Sequence, residues 1–271
     1  MYEYDGSSWS TLCNGCAPGT RYGHGFAYDS VRDVVVLFGG VTGANSESNE
    51  LWEWDGSSWT QVSPLGSVPA VRQGVSMTYD SSRSRVVIFG GYDSPATYYN
   101  DTYEYDGLSW YGPFTPATRP PVRYDDSAQL AFVNNDAQDP ALRNRVILYG
   151  GLNSSSFYDD MWSWDGSSWL EFGSNDGTGT KRYASAVVYD GGSGRLLVIG
   201  GYDGSELSGT YQYDTVWSLA SLLPDQEDTQ AAAYHPVWNV IVKYGGNSPN
   251  CLGFGSPPYY KNCDTTYHYA P

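Results

Sequence analysis

Apolar residues along this chain come in short bursts, and the bursts repeat. Residues 34–40 read VVVLFGG, and copies follow at 86–91 (VVIFGG), 146–151 (VILYGG), 196–201 (LLVIGG) and 240–246 (VIVKYGG). Each is a run of β-branched and aromatic residues stopped by two glycines. A continuous apolar run of this length predicts a strand buried on both faces. The second glycines stand at 40, 91, 151, 201 and 246, so the intervals are 51, 60, 50 and 45 residues.

Around each run the pattern changes to alternation. Residues 21–29 (RYGHGFAYD) place Tyr22, His24, Phe26 and Tyr28 on one face, which predicts a half-buried strand. A polar turn at 29–33 leads into the apolar strand, and a polar loop follows the glycines to Asn49. Residues 50–54 (ELWEW) alternate again, and Asp55-Gly56 then predicts a hairpin turn, because Asp-Gly readily takes positive φ. Residues 58–62 make a fourth strand. One unit is therefore four short antiparallel strands, and the units run at about 21–62, 72–111, 123–172, 182–219 and 228–269. An insertion at 135–143 accounts for the 60-residue interval.

Four strands recurring every 45–50 residues predict an all-β fold, a β-propeller of four-stranded antiparallel blades forming a single domain over 1–271. Residues 2–9 (YEYDGSSW) copy 52–59 (WEWDGSSW), whereas the fifth unit has no such hairpin. The N-terminal strand at 8–12 is expected to close the last blade of a five-bladed ring. One third strand is then left over. It leaves open a longer chain with six or more blades, or a subunit that pairs with a neighbour. The glycine pairs, the aromatic pairs Trp52/Trp54, Tyr103/Tyr105, Trp162/Trp164 and Tyr211/Tyr213, and the DG-x-S-W hairpins together resemble the kelch repeat over almost the whole chain. Galactose oxidase is a kelch-type propeller with a copper site of two histidines, two tyrosines and a Tyr–Cys crosslink. No residue set here matches that pattern, so the resemblance carries no oxidase activity over.

Charge narrows the function classes. The formal net charge is −16, with no basic run, which excludes nucleic acid and anionic membrane as partners that need positive charge. Four cysteines, few lysines and many small polar residues are the style of secreted β proteins, so an extracellular location is expected. The N-terminus does not read as a signal peptide. Cys13, Cys16, Cys251 and Cys263 suggest two disulfides, with Cys251–Cys263 closing the last long loop or the two chain ends cross-paired. Zinc fits less well because the second pair is twelve apart, and a thioredoxin-like motif needs a βαβ context.

Candidate chemistry is sparse. His24, His235 and His268 lie in separate units without ligand spacing, as expected of satisfied structural histidines, and no nucleophile motif is present. Arg21, Arg72, Arg123 and Arg182 each open a first strand. They read either as an anion site ringing one channel mouth or as four local ion pairs. The fifth unit places Glu227 or Asp228 at that point. The loops after the glycines carry Tyr92, Asp93, Asn153, Tyr202, Asp203 and Asn247, with Tyr98, Tyr99, Tyr158, Tyr259 and Tyr260 beyond them. Aromatic faces beside Asp and Asn suit glycan or protein recognition. Calcium is the one cofactor considered, at Asn100-Asp101 and Asp159-Asp160, whose repetition also fits turn caps. The expected function is an extracellular binding or scaffold module. The alternatives are a structural subunit assembling through its surplus strand, and a sugar oxidase or epimerase of the kelch class.

Overall fold

The computed structural model describes residues 2–5, 7–13, 15–95, 97–124, 129–174, 181–205, 207, 209–222, 231–244, 247–248, 261–262 and 266–269. The expected propeller is there. Blade 1 is Gly25–Asp29, Val34–Phe38, Leu51–Trp54 and Trp59–Val62; blade 2 is Ser76–Asp80, Arg85–Phe89, Thr102–Tyr105 and Ser109–Phe114. Blade 3 is Leu130–Val133, Arg145–Tyr149, Asp160–Trp164 and Trp169–Ser174; blade 4 is Ala186–Asp190, Arg195–Ile199, Gly209–Tyr213 and Trp217–Leu222. Blade 5 contributes three strands among the described residues, Ala231–His235, Val240–Tyr244 and Thr266–Tyr269. Within each blade the strands pair antiparallel in chain order, and the first strands of successive blades lie side by side.

The double burial of the second strands follows from their sequence. Val36 and Phe38 face blade 2, and Val86 and Ile88 meet them. Val87 and Phe89, the alternate residues of the same strand, face blade 3 with Val146 and Leu148. Two further seams join blade 3 to blade 4 and blade 4 to blade 5. The Asp-Gly hairpins are held by the aspartate as much as by the glycine. The Oδ1 atoms of Asp5, Asp55, Asp106 and Asp165 each accept the backbone N–H groups two and three residues on.

On the face bearing these hairpins a charged latch joins blade to blade. In blade 1, Arg32 bonds Asp29 at 2.7 Å and Glu53 at 2.6 Å, and Glu53 accepts the Tyr105 hydroxyl of blade 2 at 3.0 Å. Blade 2 repeats it: Arg83 bonds Asp80 at 2.7 Å and Glu104 at 2.5 Å, and Glu104 accepts Nε1 of Trp164 from blade 3 at 2.7 Å. Burial, and then the Glu53 carboxylate, push the Tyr105 hydroxyl well above its ordinary pKa, so it stays a donor. In blade 3 the insertion takes over this role. Its Ala137 and Leu142 are buried, Asp136 accepts the Tyr189 hydroxyl at 2.5 Å, and Asp139 accepts that of Tyr213 at 3.2 Å.

The N-terminal strands depart from the expected closure. Trp9–Thr11 pairs with Tyr2–Tyr4 across its own Asp-Gly turn, and among the described residues not with Thr266–Tyr269. Tyr4 instead meets Trp238 edge-on at 6.4 Å. By alignment on the strand ends His235 and Asp29, Trp238 stands where Arg32 stands in blade 1, and Tyr4 stands where Tyr105 stands in blade 2. Arg32 and Tyr105 are themselves in contact, at 5.4 Å. The hairpin therefore sits in the outer half of the position following blade 5. Blade 1 correspondingly leaves Phe26 and Tyr28 half exposed on its outer face, at 50% and 53%.

The latch predicts a specific loss. Glu104→Ala removes one of the two carboxylates that Arg83 bonds and the acceptor of the buried Trp164 indole N–H, and should cost about 1–3 kcal/mol in urea unfolding. Leu170→Ala, at an exposed position, should stay within about 0.5 kcal/mol.

Candidate functional site

The four arginines are not at a channel mouth. Arg72, Arg123 and Arg182 are at most 2% exposed, and the Arg21 side chain is 3% exposed. Each turns inward beneath the loop that follows the glycines and donates Nη1 to the carbonyl of the first glycine of its own blade. The distances are 3.1 Å for Arg21 to Gly39, 2.9 Å for Arg72 to Gly90, 2.7 Å for Arg123 to Gly150 and 2.8 Å for Arg182 to Gly200. Three also pair with the acid at the start of the third strand: Arg21 with Glu50 at 2.9 Å, Arg72 with Asp101 at 2.7 Å and Arg123 with Asp160 at 2.6 Å. Tyr99, Tyr158 and Tyr211 lie under the guanidinium planes of Arg72, Arg123 and Arg182 at 4.0, 4.1 and 4.8 Å. The anion-site reading is thus corrected: these cations are buried and engaged within the protein. Asp101 and Asp160 are occupied by the same pairs, which removes them as calcium ligands. Among the described residues no three His, Cys, Asp or Glu side chains are grouped to hold a metal ion.

The same arginines explain the glycines. The backbone carbonyl of Arg72 accepts the Gly40 N–H of the preceding blade at 2.9 Å, and those of Arg123 and Arg182 accept from Gly91 and Gly151 at 2.9 Å. A Cβ on Gly39 would stand 2.8 Å from the Arg72 carbonyl oxygen, and one on Gly90 2.5 Å from that of Arg123. Both glycines have φ near +71°. No side chain fits there.

What the loops present to solvent is aromatic. The residue after each arginine pairs through its backbone with the residue after the glycines: Tyr22 with Val41, Gln73 with Tyr92, Tyr124 with Leu152, and Tyr183 with Tyr202. This pairing sets rings from three blades beside one another. Tyr92 lies 5.9 Å from Tyr98 and 4.5 Å from Tyr124, which is 5.6 Å from Tyr98. Tyr124 lies 6.2 Å from Tyr183, Tyr183 6.5 Å from Phe157, and Phe157 6.0 Å from Tyr202. All six rings are half-buried. The result is a continuous aromatic arc over blades 2 to 4.

Of the residues expected on this face, Tyr92 and Tyr202 belong to the arc, and Asp93 pairs with Thr97 beside it. Asn153 and Asp203 are occupied by their own turns. The Asn153 Oδ1 accepts from Ser155 and Ser156 and its Nδ2 donates to the Tyr158 hydroxyl, while Asp203 accepts from Ser205. Asn247 opens a two-residue ladder with Asn262, and its side chain lies outside the described residues. Tyr124, Tyr183 and Phe157 were not anticipated. For the two tyrosines the signal is the repeated Arg-Tyr dipeptide at 21–22, 123–124 and 182–183.

Cys13 and Cys16 form a disulfide with each other; Cys251 and Cys263 lie outside the described residues, as do Glu227, Asp228, Tyr259 and Tyr260. His235 accepts the Trp238 N–H through Nδ1 and stacks on that ring. His24 is enclosed beside Arg21. Burial first, and then the Arg21 charge, lower its pKa to about 4, so it is neutral in the fold.

Comparison with known proteins places this geometry. The KLHDC2/KLHL20/DRC7 Kelch-repeats domain matches residues 53–243. Similar proteins include the Dynein alpha chain, flagellar outer arm, of Chlamydomonas reinhardtii, 31% identical over 176 residues, which cover 59% of this chain and 4% of that protein. Host cell factor 2 of Homo sapiens is 21% identical over 284 residues, covering 96% of this chain and 34% of that protein. Dynein regulatory complex subunit 7 of Chlamydomonas reinhardtii is 33% identical over 82 residues, covering 30% of this chain and 7% of that protein. The chain thus spans from 4% to 34% of the length of these relatives.

The state of His24 predicts a pH dependence. Its pKa is about 4 in the fold and about 6.5 in an unfolded chain, so the unfolded state binds more protons between those values. Stability is full above pH ~6.5 and falls as the pH drops toward 4. His24→Gln should abolish a component of about 2 kcal/mol, read as the difference between wild-type and variant unfolding free energies at pH 7 and pH 4.5.

Proposed function

The chain belongs to the kelch-repeat family of β-propellers, and on that premise we propose that it is an interaction module that recognises a partner protein through the aromatic arc. The observation that carries this reading is the continuity of six half-buried rings across three blades. Tyrosine supplies large contact area at little conformational cost and is enriched where protein interfaces concentrate their energy. A net charge of −16 favours a partner surface of opposite sign. The names of two relatives, a dynein chain and a subunit of a dynein regulatory complex, support a place within a larger assembly. A glycan reading of this face has less support, because Asn153 and Asp203 spend their polar groups on their own turns.

A second reading rests on blade 1. The exposed Phe26 and Tyr28 face, together with an N-terminal hairpin set beyond blade 5, favours assembly through an added strand or blade. An extracellular setting is a separate proposal, supported by the Cys13–Cys16 disulfide.

The arc is tested by purifying a partner on the wild-type protein, identifying it, and titrating it against Tyr124→Ala and Tyr183→Ala. Each variant should bind at least about tenfold more weakly, with a Tm close to wild type. Val237→Ala, 84% exposed in the turn of blade 5, should bind normally. Unchanged affinity in both tyrosine variants would refute the assignment.

A further inference from the structure

The first strand of every blade carries one aromatic residue near its end, paired with the opening of the second strand. These are Tyr28 with Val35, Tyr79 with Val86, Phe132 with Val146, Tyr189 with Leu196 and Tyr234 with Ile241. In blades 2 and 4 this tyrosine plugs the gap to the preceding blade. The Tyr79 hydroxyl is sunk into the Asp29–Val31 turn of blade 1, where burial and then the Asp29 carboxylate raise its pKa. The Tyr189 hydroxyl donates to Asp136 of blade 3. Blade 3 alone has phenylalanine here. The facing turn of blade 2, where Asp80 accepts from Ser82 and Arg83, meets no hydroxyl from blade 3.

Where the hydroxyl is missing there is an open depression of about 410 Å³, on the face opposite the arc. Its floor is Phe132, half-buried against the seam between blades 2 and 3. Asn134, Asn135 and Asn144 line one side and Ser81 and Ser82 the other. Among the described residues the Asn134 amide and the Ser81 hydroxyl make no hydrogen bond, and Asn135 and Asn144 share only one, at 3.4 Å. Asp136 is the one charged residue of the lining, and it is engaged by Tyr189; no cation lines the depression. The walls are fixed in place. The insertion is anchored by buried Ala137 and Leu142, and Gln138 donates to the Ser193 carbonyl at 2.9 Å.

We propose that this depression binds a neutral saccharide. The half-buried phenyl ring in its lining is suited to the C–H face of a pyranose, and planar amides with hydroxyls match its equatorial hydroxyl groups. The size falls in the range of small-molecule sites. An anionic ligand would find no counter-charge there, on a protein that is strongly acidic overall.

The test is saturation-transfer NMR on the whole chain, with glucose, galactose, mannose and N-acetylglucosamine as probes and sialic acid as the anionic control. At least one neutral sugar should show transfer and titrate, and sialic acid should not. Phe132→Tyr restores the hydroxyl that the other blades carry, so it should fold with an equal or higher Tm while weakening binding at least about tenfold. Asn134→Ala, at an exposed side chain, should weaken binding similarly, and Tyr124→Ala should leave it unchanged. Absence of transfer from every neutral sugar, or binding that survives both Phe132→Tyr and Asn134→Ala, overturns the proposal. Loss on Tyr124→Ala alone overturns it as well, since that places the sugar on the arc.

Discussion

A buried arginine in each of blades 1 to 4 ties this molecule together. An arginine such as Arg72 joins two blades at once. Its peptide group bonds the loop of blade 1, through its N–H to Ser48 and its carbonyl from Gly40. Its guanidinium bonds Gly90 and Asp101 of blade 2. Arg123 does the same between blades 2 and 3. Burying a guanidinium is costly unless every donor finds an acceptor. In Arg72 and Arg123 the carboxylate and the glycine carbonyl take the Nη donors, a carbonyl two residues back takes Nε, and a tyrosine face lies beneath the cation. The glycine pair is a consequence, because only a residue without Cβ lets the next arginine carbonyl approach so closely. A substitution at either partner therefore breaks an inter-blade contact and an intra-blade one.

Much of the fold was legible in the residues for this reason. Val34–Phe38 and its copies announce doubly buried strands, and the Asp-Gly turns announce the outer hairpins. The period then dictates the propeller. Closure was less legible. Whether Trp9–Thr11 completes blade 5 depends on which aromatic ring Tyr4 meets in space, and Trp238 is more than two hundred positions away in the chain. The roles of the arginines were also hidden. Sequence shows that Arg21, Arg72, Arg123 and Arg182 recur before first strands, but an arginine looks the same in a ligand site and in a buried tie. The loop that folds over it makes the choice. The binding face was half legible: Tyr92 and Tyr202 stand directly after the glycines, whereas Tyr124 and Tyr183 reach the arc by pairing with loops 19 to 28 residues further on.

The two faces of the ring consequently do different work. On the hairpin face, the latches through Glu53 and Glu104 engage Arg32 and Arg83, and the phenylalanine of blade 3 leaves an opening. On the glycine face, the four arginines lie beneath the loops and the aromatic rings remain above them. What distinguishes this chain from a regular repeat is therefore confined to few positions: the Arg-Tyr dipeptides, Phe157, and the insertion with Phe132 at its foot.

Central to this account is that the repeat's charged residues are internal ties and that recognition belongs to the rings above them. Amide hydrogen exchange of the protein with and without its purified partner tests this most directly. Added protection is expected in the loops around residues 92, 124, 152–158, 183 and 202, with the outer Asp-Gly hairpins unchanged. Protection confined to the hairpins at 55–58, 106–109 and 165–168, with those loops unaltered, would contradict it.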